Sequence, residues 1–134
     1  MNFLGAQNTD GTAKDVPVSQ DQCKTICRFA VLNTRHTAAK VEREVIAQAL
    51  SNARVASGEL LLIDDDSPNP WVRHGEVFVE MSSEDAAVAV NAIEEDLEGQ
   101  LDAVDKQLDS SKCEMQKLRE LLKHDFGDHI ALEE

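Results

Sequence analysis

Residues 64–82 read Asp64-Asp65-Asp66-Ser67-Pro68-Asn69-Pro70-Trp71-Val72-Arg73-His74-Gly75-Glu76-Val77-Phe78-Val79-Glu80-Met81-Ser82. Two prolines among turn formers cannot continue a helix, because proline lacks the N–H and its ring clashes with the preceding turn. Beyond that break, Val77, Val79 and Met81 alternate with Glu76, Phe78 and Glu80, the period-two pattern of a strand. Gly75 separates this run from Trp71-Val72-Arg73-His74, so the spacing predicts a β-hairpin over about 70–81. One hairpin alone is marginal in water. Trp71, Val72, Val77, Phe78, Val79 and Met81 are therefore candidate subunit-interface residues, the plainer alternative being that they pack only within the hairpin.

Working outward, Ser19-Gln20-Asp21-Gln22 fits a capping box, with Val18 and Cys23 placed for a hydrophobic staple. No proline lies between there and Ile63, which predicts a helix over about 19–63, though Gly58 weakens its end. Apolar residues recur at Phe29, Leu32, Ala39, Ile46, Leu50, Ala53 and Leu60, and the same rhythm passes through His36, Arg43 and Ser57. On the other side, Ser82 caps a second helix over about 83–126, with Gly127 as its stop. Its seam runs Val90, Ile93, Leu97, Leu101, Val104, Leu108, Ser111, Met115, Leu118, Leu122, with two successive steps of four around Leu97 that form a stutter. The helices match in length, about 65 Å each at 1.5 Å per residue. The expected fold is mainly α: two long helices forming an antiparallel coiled coil, joined by one β-hairpin. Such a pairing sets Phe29 against Leu118, Leu32 against Met115 and His36 against Ser111. Residues 1–17 are polar and aperiodic, and are expected to be a flexible tail before one domain over 18–134.

Composition agrees with long helices. Charged residues make up 29% and aromatics 4%, which suits a chain that buries a narrow stripe rather than a compact core. The net charge is −13, so the clustered Lys and Arg that nucleic acid requires are missing. Residues 18–63 carry six basic and four acidic groups, whereas 83–126 carry five basic and twelve acidic. Side by side, the two helices would complement each other. No run approaches the roughly 18 apolar residues of a membrane span. The first residues lack the apolar core of a secretory signal, and three cysteines are an odd number, so reduced thiols in the cytosol or nucleus are expected.

Residues that suggest chemistry have plainer explanations. Cys23, Cys27 and His36 could share a metal, but a structural zinc site needs four ligands, and no second Cys pair follows. Small structural thiols account for them better. Asp64, Asp65 and Asp66 lack the alternating acids, glycine and closing Glu of a calcium loop, so a solvated turn is preferred. His124, Asp125, Asp128 and His129 read as helix-end solvation. No phosphate loop or nucleophile motif occurs, so no enzyme, cofactor or metal is expected.

A helix, a hairpin and a helix in a small acidic chain resemble a β-type prefoldin subunit. The opening Val18-Ser19-Gln20-Asp21-Gln22 followed by Ile26, Phe29, Ala30, Leu32 and Asn33 is similar to the subunit-four branch of that family. So are the Asp64-Asp65-Asp66 turn, Gly75-Glu76-Val77-Phe78, and the ending Leu122 to Gly127 with Ile130-Ala131-Leu132-Glu133. Cys23 or Lys24, and Cys27, depart from the Gln and Asn that the family usually carries. The resemblance implies a hexamer of two α-type and four β-type subunits whose hairpins build β-barrels and whose coiled coils hang as tentacles. It implies an ATP-independent co-chaperone, without cofactor, that holds unfolded actin and tubulin and passes them to the cytosolic chaperonin. The distal ends would hold the client. There the helices lose partners, so Ile26, Phe29, Leu118, Leu122, Phe126, Ile130 and Leu132 are expected to expose an apolar client-binding surface, although each could equally be seam. The alternative class is a coiled-coil scaffold subunit of another complex without chaperone activity. Suppression of aggregation by the purified complex separates the two.

Overall fold

The computed structural model describes residues 17–132, so the expected tail over 1–17 lies outside the described residues except for Pro17. The elements are α1 (Gln20–Leu60), β1 (Trp71–His74), β2 (Val77–Glu80) and α2 (Ser83–Phe126), followed by one 3-10 turn over Gly127–His129. The two long helices pack against each other with the hairpin between them in sequence.

The helix ends follow from their local chemistry. At the start of α1 the Ser19 N–H donates to Gln22 Oε1 at 2.9 Å, and the Gln22 N–H donates to Ser19 Oγ at 3.1 Å. This reciprocal pair satisfies two backbone donors that would otherwise lack helical partners. The helix stops at Leu60, short of the Ile63 expected. The Leu62 N–H bonds Glu59 O at 3.0 Å and the Ile63 N–H bonds Leu60 O at 3.4 Å, so the chain tightens into three-residue turns just after Gly58. At α2 the Asp85 N–H donates to Ser82 Oγ at 3.2 Å. Glu84 and Asp85 in its first turn, and Lys123 and His124 in its last, suit the helix dipole. Gly127 then takes φ 59°, the left-handed conformation that terminates a helix at little cost only for glycine.

The chain divides into two compact units. In the first, residues 17–40 and 107–132, Ile26, Phe29 and Leu32 of α1 bury against Met115, Leu122 and Phe126 of α2. Leu118, Ile130 and Leu132 pack onto this cluster. Arg28 bridges to Glu114 at 3.0 and 3.3 Å, and the Arg119 guanidinium lies over the Phe29 ring, 5.6 Å from its centroid. His36 is buried in the apolar seam, and its Nδ1 has no hydrogen-bond partner.

In the second unit, residues 41–106, Ile46 and Leu50 of α1 are buried, as are Ala86, Val90 and Val104 of α2. Arg43 pairs with Asp105, and Arg54 with Glu98 at 3.2 Å. Arg43 interrupts the seam as its position suggests: no α1 side chain between Ala39 and Ile46 is buried. Its guanidinium reaches sideways to Asp105, whose hydrogen bond holds the pKa above its ordinary value. One seam expectation is corrected: Ile93 is exposed, although it still faces Ala53, Ala56 and Leu60 of α1 across an open groove. Arg28, Arg43 and Arg54 ascend α1 while Glu114, Asp105 and Glu98 descend α2, which makes the pairing antiparallel. The basic side chains sit on α1 and the acids on α2, as the charge asymmetry anticipates.

A buried imidazole with an unmet polar atom is costly, whereas leucine of similar bulk carries no such atom. His36→Leu is expected to stabilise the protein by about 1 kcal/mol, raising Tm by roughly 4 °C. Calorimetry checks it, and an unchanged or lower Tm would show that the imidazole is already satisfied.

Candidate functional site

The hairpin is built around a two-residue turn. Gly75 has φ 64°, and among the described residues no non-glycine residue has positive φ, so Gly75-Glu76 form a type II′ turn whose twist matches the strands. Arg73 Nε donates to Gly75 O at 2.7 Å and braces this turn. The register pairs Trp71 with Glu80, Val72 with Val79, Arg73 with Phe78 and His74 with Val77. The Met81 N–H continues the ladder to Pro70 O at 3.1 Å, using the one backbone group that proline offers.

Opposed residues share a face. Trp71, Arg73, Phe78 and Glu80 therefore lie on one face, and Val72, His74, Val77 and Val79 on the other. Both faces keep apolar side chains in solvent: Trp71 is 63% exposed, Val77 62%, Phe78 61% and Val79 41%. Val72 and Met81 are half-buried. In an antiparallel ladder, backbone groups alternate between pairing inward and pointing outward. With His74 and Val77 closing the turn, the N–H and C=O groups of Trp71 and Arg73 point away from β2, and those of Phe78 and Glu80 point away from β1. The two-stranded sheet thus leaves both of its edges open among the described residues.

Beside β1 runs a groove of about 460 Å³, lined by Ala56, Leu60, Ile63, Trp71, Val72 and Ile93 among others. Leu61 and Leu62, where the chain leaves α1, are exposed as well. The sequence pattern did not single out this groove.

The distal expectation is corrected in its physical premise. Ile26, Phe29, Leu122 and Phe126 are buried at 7% exposure or less, and Leu118, Ile130 and Leu132 are half-buried against them. The segment after Gly127 returns Ile130 and Leu132 to the cluster instead of fraying away, because the left-handed glycine reverses the chain where α2 stops. Exposed apolar side chains in this unit are Val18, Val31 and Leu121. Cys23, Cys27 and Cys113 are free thiols. Among the described residues no three His, Cys, Asp or Glu side chains converge as a metal site, and no helix is long and apolar enough to cross a membrane.

A family model described as "Prefoldin subunit" matches residues 24–129. The chain belongs to the prefoldin subunit family. It is 28% identical to prefoldin subunit 4 of Homo sapiens over 97% of both chains. It is 29% identical to a probable prefoldin subunit 4 of Drosophila melanogaster, over 97% of this chain and 98% of the relative. The fold matches the crystal structure of the prefoldin beta subunit from Thermococcus strain KS-1 with a TM-score of 0.70, covering 81% of this chain and 94% of that one at 15% identity. The family is one of chaperones, and a prefoldin subunit assembles with other prefoldin subunits. An uncovered apolar hairpin is a surface suited to such assembly.

Trp71 is the single tryptophan of the chain and sits on the exposed hairpin face. In the isolated chain its fluorescence should be readily quenched by iodide. On mixing with the other prefoldin subunits, quenching should fall several-fold as the ring leaves water. Equal quenching before and after assembly would place Trp71 outside the interface.

Proposed function

We propose that this chain is a β-type subunit of a hetero-hexameric, ATP-independent co-chaperone, two α-type and four β-type subunits in all. It holds non-native proteins of the actin and tubulin class in the cytosol or nucleus for transfer to the cytosolic chaperonin. The observation that carries the assembly half is the hairpin, with apolar side chains exposed on both faces and both edges unpaired. Neighbouring hairpins would add strands to those edges, and Trp71, Val72, Val77, Phe78, Val79 and Met81 would bury between them.

Client holding needs weak, undirected apolar contact, because an unfolded chain presents no fixed shape. In the unit that carries the chain's two ends, Leu121 and Val18 are in solvent, and Leu118, Ile130 and Leu132 are partly accessible. These are the side chains that would touch client first. Ile26, Phe29, Leu122 and Phe126 would do so only by opening their cluster. Several weak tips around one client raise retention through effective concentration. That burial also favours a second reading, in which this subunit is a scaffold that contributes assembly and no client contact.

Two experiments test the halves separately. Val77→Asp with Val79→Asp should exclude the chain from the hexamer in size-exclusion chromatography while leaving its helical circular dichroism intact. A normal hexamer carrying both changes would refute hairpin assembly. Leu121→Ser with Ile130→Ser and Leu132→Ser should leave the hexamer assembled and accelerate release of denatured actin. The loss should be partial, since five other subunits keep their tips. An unchanged release rate would leave the scaffold reading.

A further inference from the structure

The groove of about 460 Å³ is lined on its β1 side by four consecutive residues, Pro70, Trp71, Val72 and Arg73. Successive side chains of a strand point to opposite faces, so a cavity touched by all four runs along the strand's edge and not over either face. It is the edge at which the N–H and C=O groups of Trp71 and Arg73 point away from β2. The far wall is apolar, with Ala56 and Leu60 of α1 and Ile93 of α2, and Ile93 is 42% exposed there. Only Asn52, Glu59 and Arg73 among the lining residues are polar, and Arg73 Nε is already donating to Gly75 O at 2.7 Å. Water held in the groove would find few of the polar partners it needs.

We propose that the β1 edge, in preference to the β2 edge, receives a strand of a different prefoldin subunit, and that this strand sets large apolar side chains into the groove at alternate positions. The inference rests on the assembly reading above and deepens it, naming the receiving edge and the chemistry of the partner strand. A strand added to an open edge lies about 4.8 Å from it, and every second side chain turns to the same side. Those turned toward the helices would meet Ala56, Leu60 and Ile93 and leave water with them. All four residues of β2 are exposed, so a strand on that edge would gain backbone bonds and little burial. Charge chooses between a second copy and a different subunit. Residues 41–106 carry sixteen acidic and four basic groups. Close to the seat, Glu59 lines the groove, and Asp64, Asp65 and Asp66 directly follow Ile63 of its wall. A second copy would bring the same acidic excess to the contact. A partner strand with Lys or Arg beside its apolar run would meet opposite charge instead.

The test is thiol labelling of the full chain carrying Ala56→Cys, alone and within the reconstituted hexamer, with the exposed native Cys113 as internal reference. On assembly, labelling at 56 should slow by about tenfold while Cys113 is unchanged. Ala56→Trp, which fills the groove, should compete several-fold less well than the unmodified chain for a place in the hexamer, with its helical circular dichroism intact. Glu59→Lys should lose ground in the same competition. Unchanged labelling at 56 in a hexamer that forms normally would overturn the groove seat and leave the assembly reading standing. Equal incorporation of Ala56→Trp would do the same, and equal incorporation of Glu59→Lys would overturn the basic flank. Protection that appears in the isolated chain and grows with its concentration would identify a second copy as occupant and overturn the choice of partner. Protection that requires added denatured actin would make the groove a client site and overturn the proposal too. Failure of the unmodified chain to join any hexamer would overturn both this inference and the assembly reading.

Discussion

Trp71, Val77, Phe78 and Val79 sit on a sheet of two strands, and two strands enclose nothing. A helix pair can bury one stripe of each helix against the other, but a hairpin needs a second layer or a third strand before its side chains leave water. The buried apolar residues of the two units come from the helices. Ile26, Phe29, Leu32, Met115, Leu122 and Phe126 close one cluster, while Ile46, Leu50, Ala86, Val90 and Val104 are buried in the other unit. Val72 and Met81 are half-buried within the chain, and most of the surface of Trp71, Val77 and Phe78 stays in water.

Charge adds orientation to the apolar contact between the helices. Arg28, Arg43 and Arg54 on α1 meet Glu114, Asp105 and Glu98 on α2. Each pair is exposed and contributes only about 0.2–1 kcal/mol. Their value lies in orientation, because a parallel pairing would separate these partners.

Much of this was legible from sequence because it depends on neighbours within a few residues. The Ser19–Gln22 capping box, the Ser82 cap, the Gly75 turn and the Gly127 stop are local chemistry, and each forms as its residues suggest. What escaped depends on where side chains point in three dimensions. Ile130 and Leu132 follow a helix stop with no periodicity of their own, so nothing in their spacing signals a return to the Phe29 cluster. Arg43 occupies a seam position by counting, yet its long side chain carries the charge out to Asp105. Ile93 falls on the seam by counting, yet the residues opposite it, Ala53 and Ala56, are small and leave an open groove there. The hairpin's alternating apolar pattern was legible for a different reason: strand periodicity is local, and Val77, Phe78 and Val79 are exposed in the folded chain.

Amide hydrogen exchange across the hairpin tests the central claim most directly, comparing the chain alone with the chain in the hexamer. In the isolated chain the outward N–H groups of Trp71, Arg73, Phe78 and Glu80 should exchange at nearly the rate of an unfolded chain. On assembly, those of at least one edge should become protected together, as a neighbouring strand takes them as donors. Equal exchange at all four positions in both states would contradict the account, because it would show that the complex forms without pairing the edges that the chain leaves open.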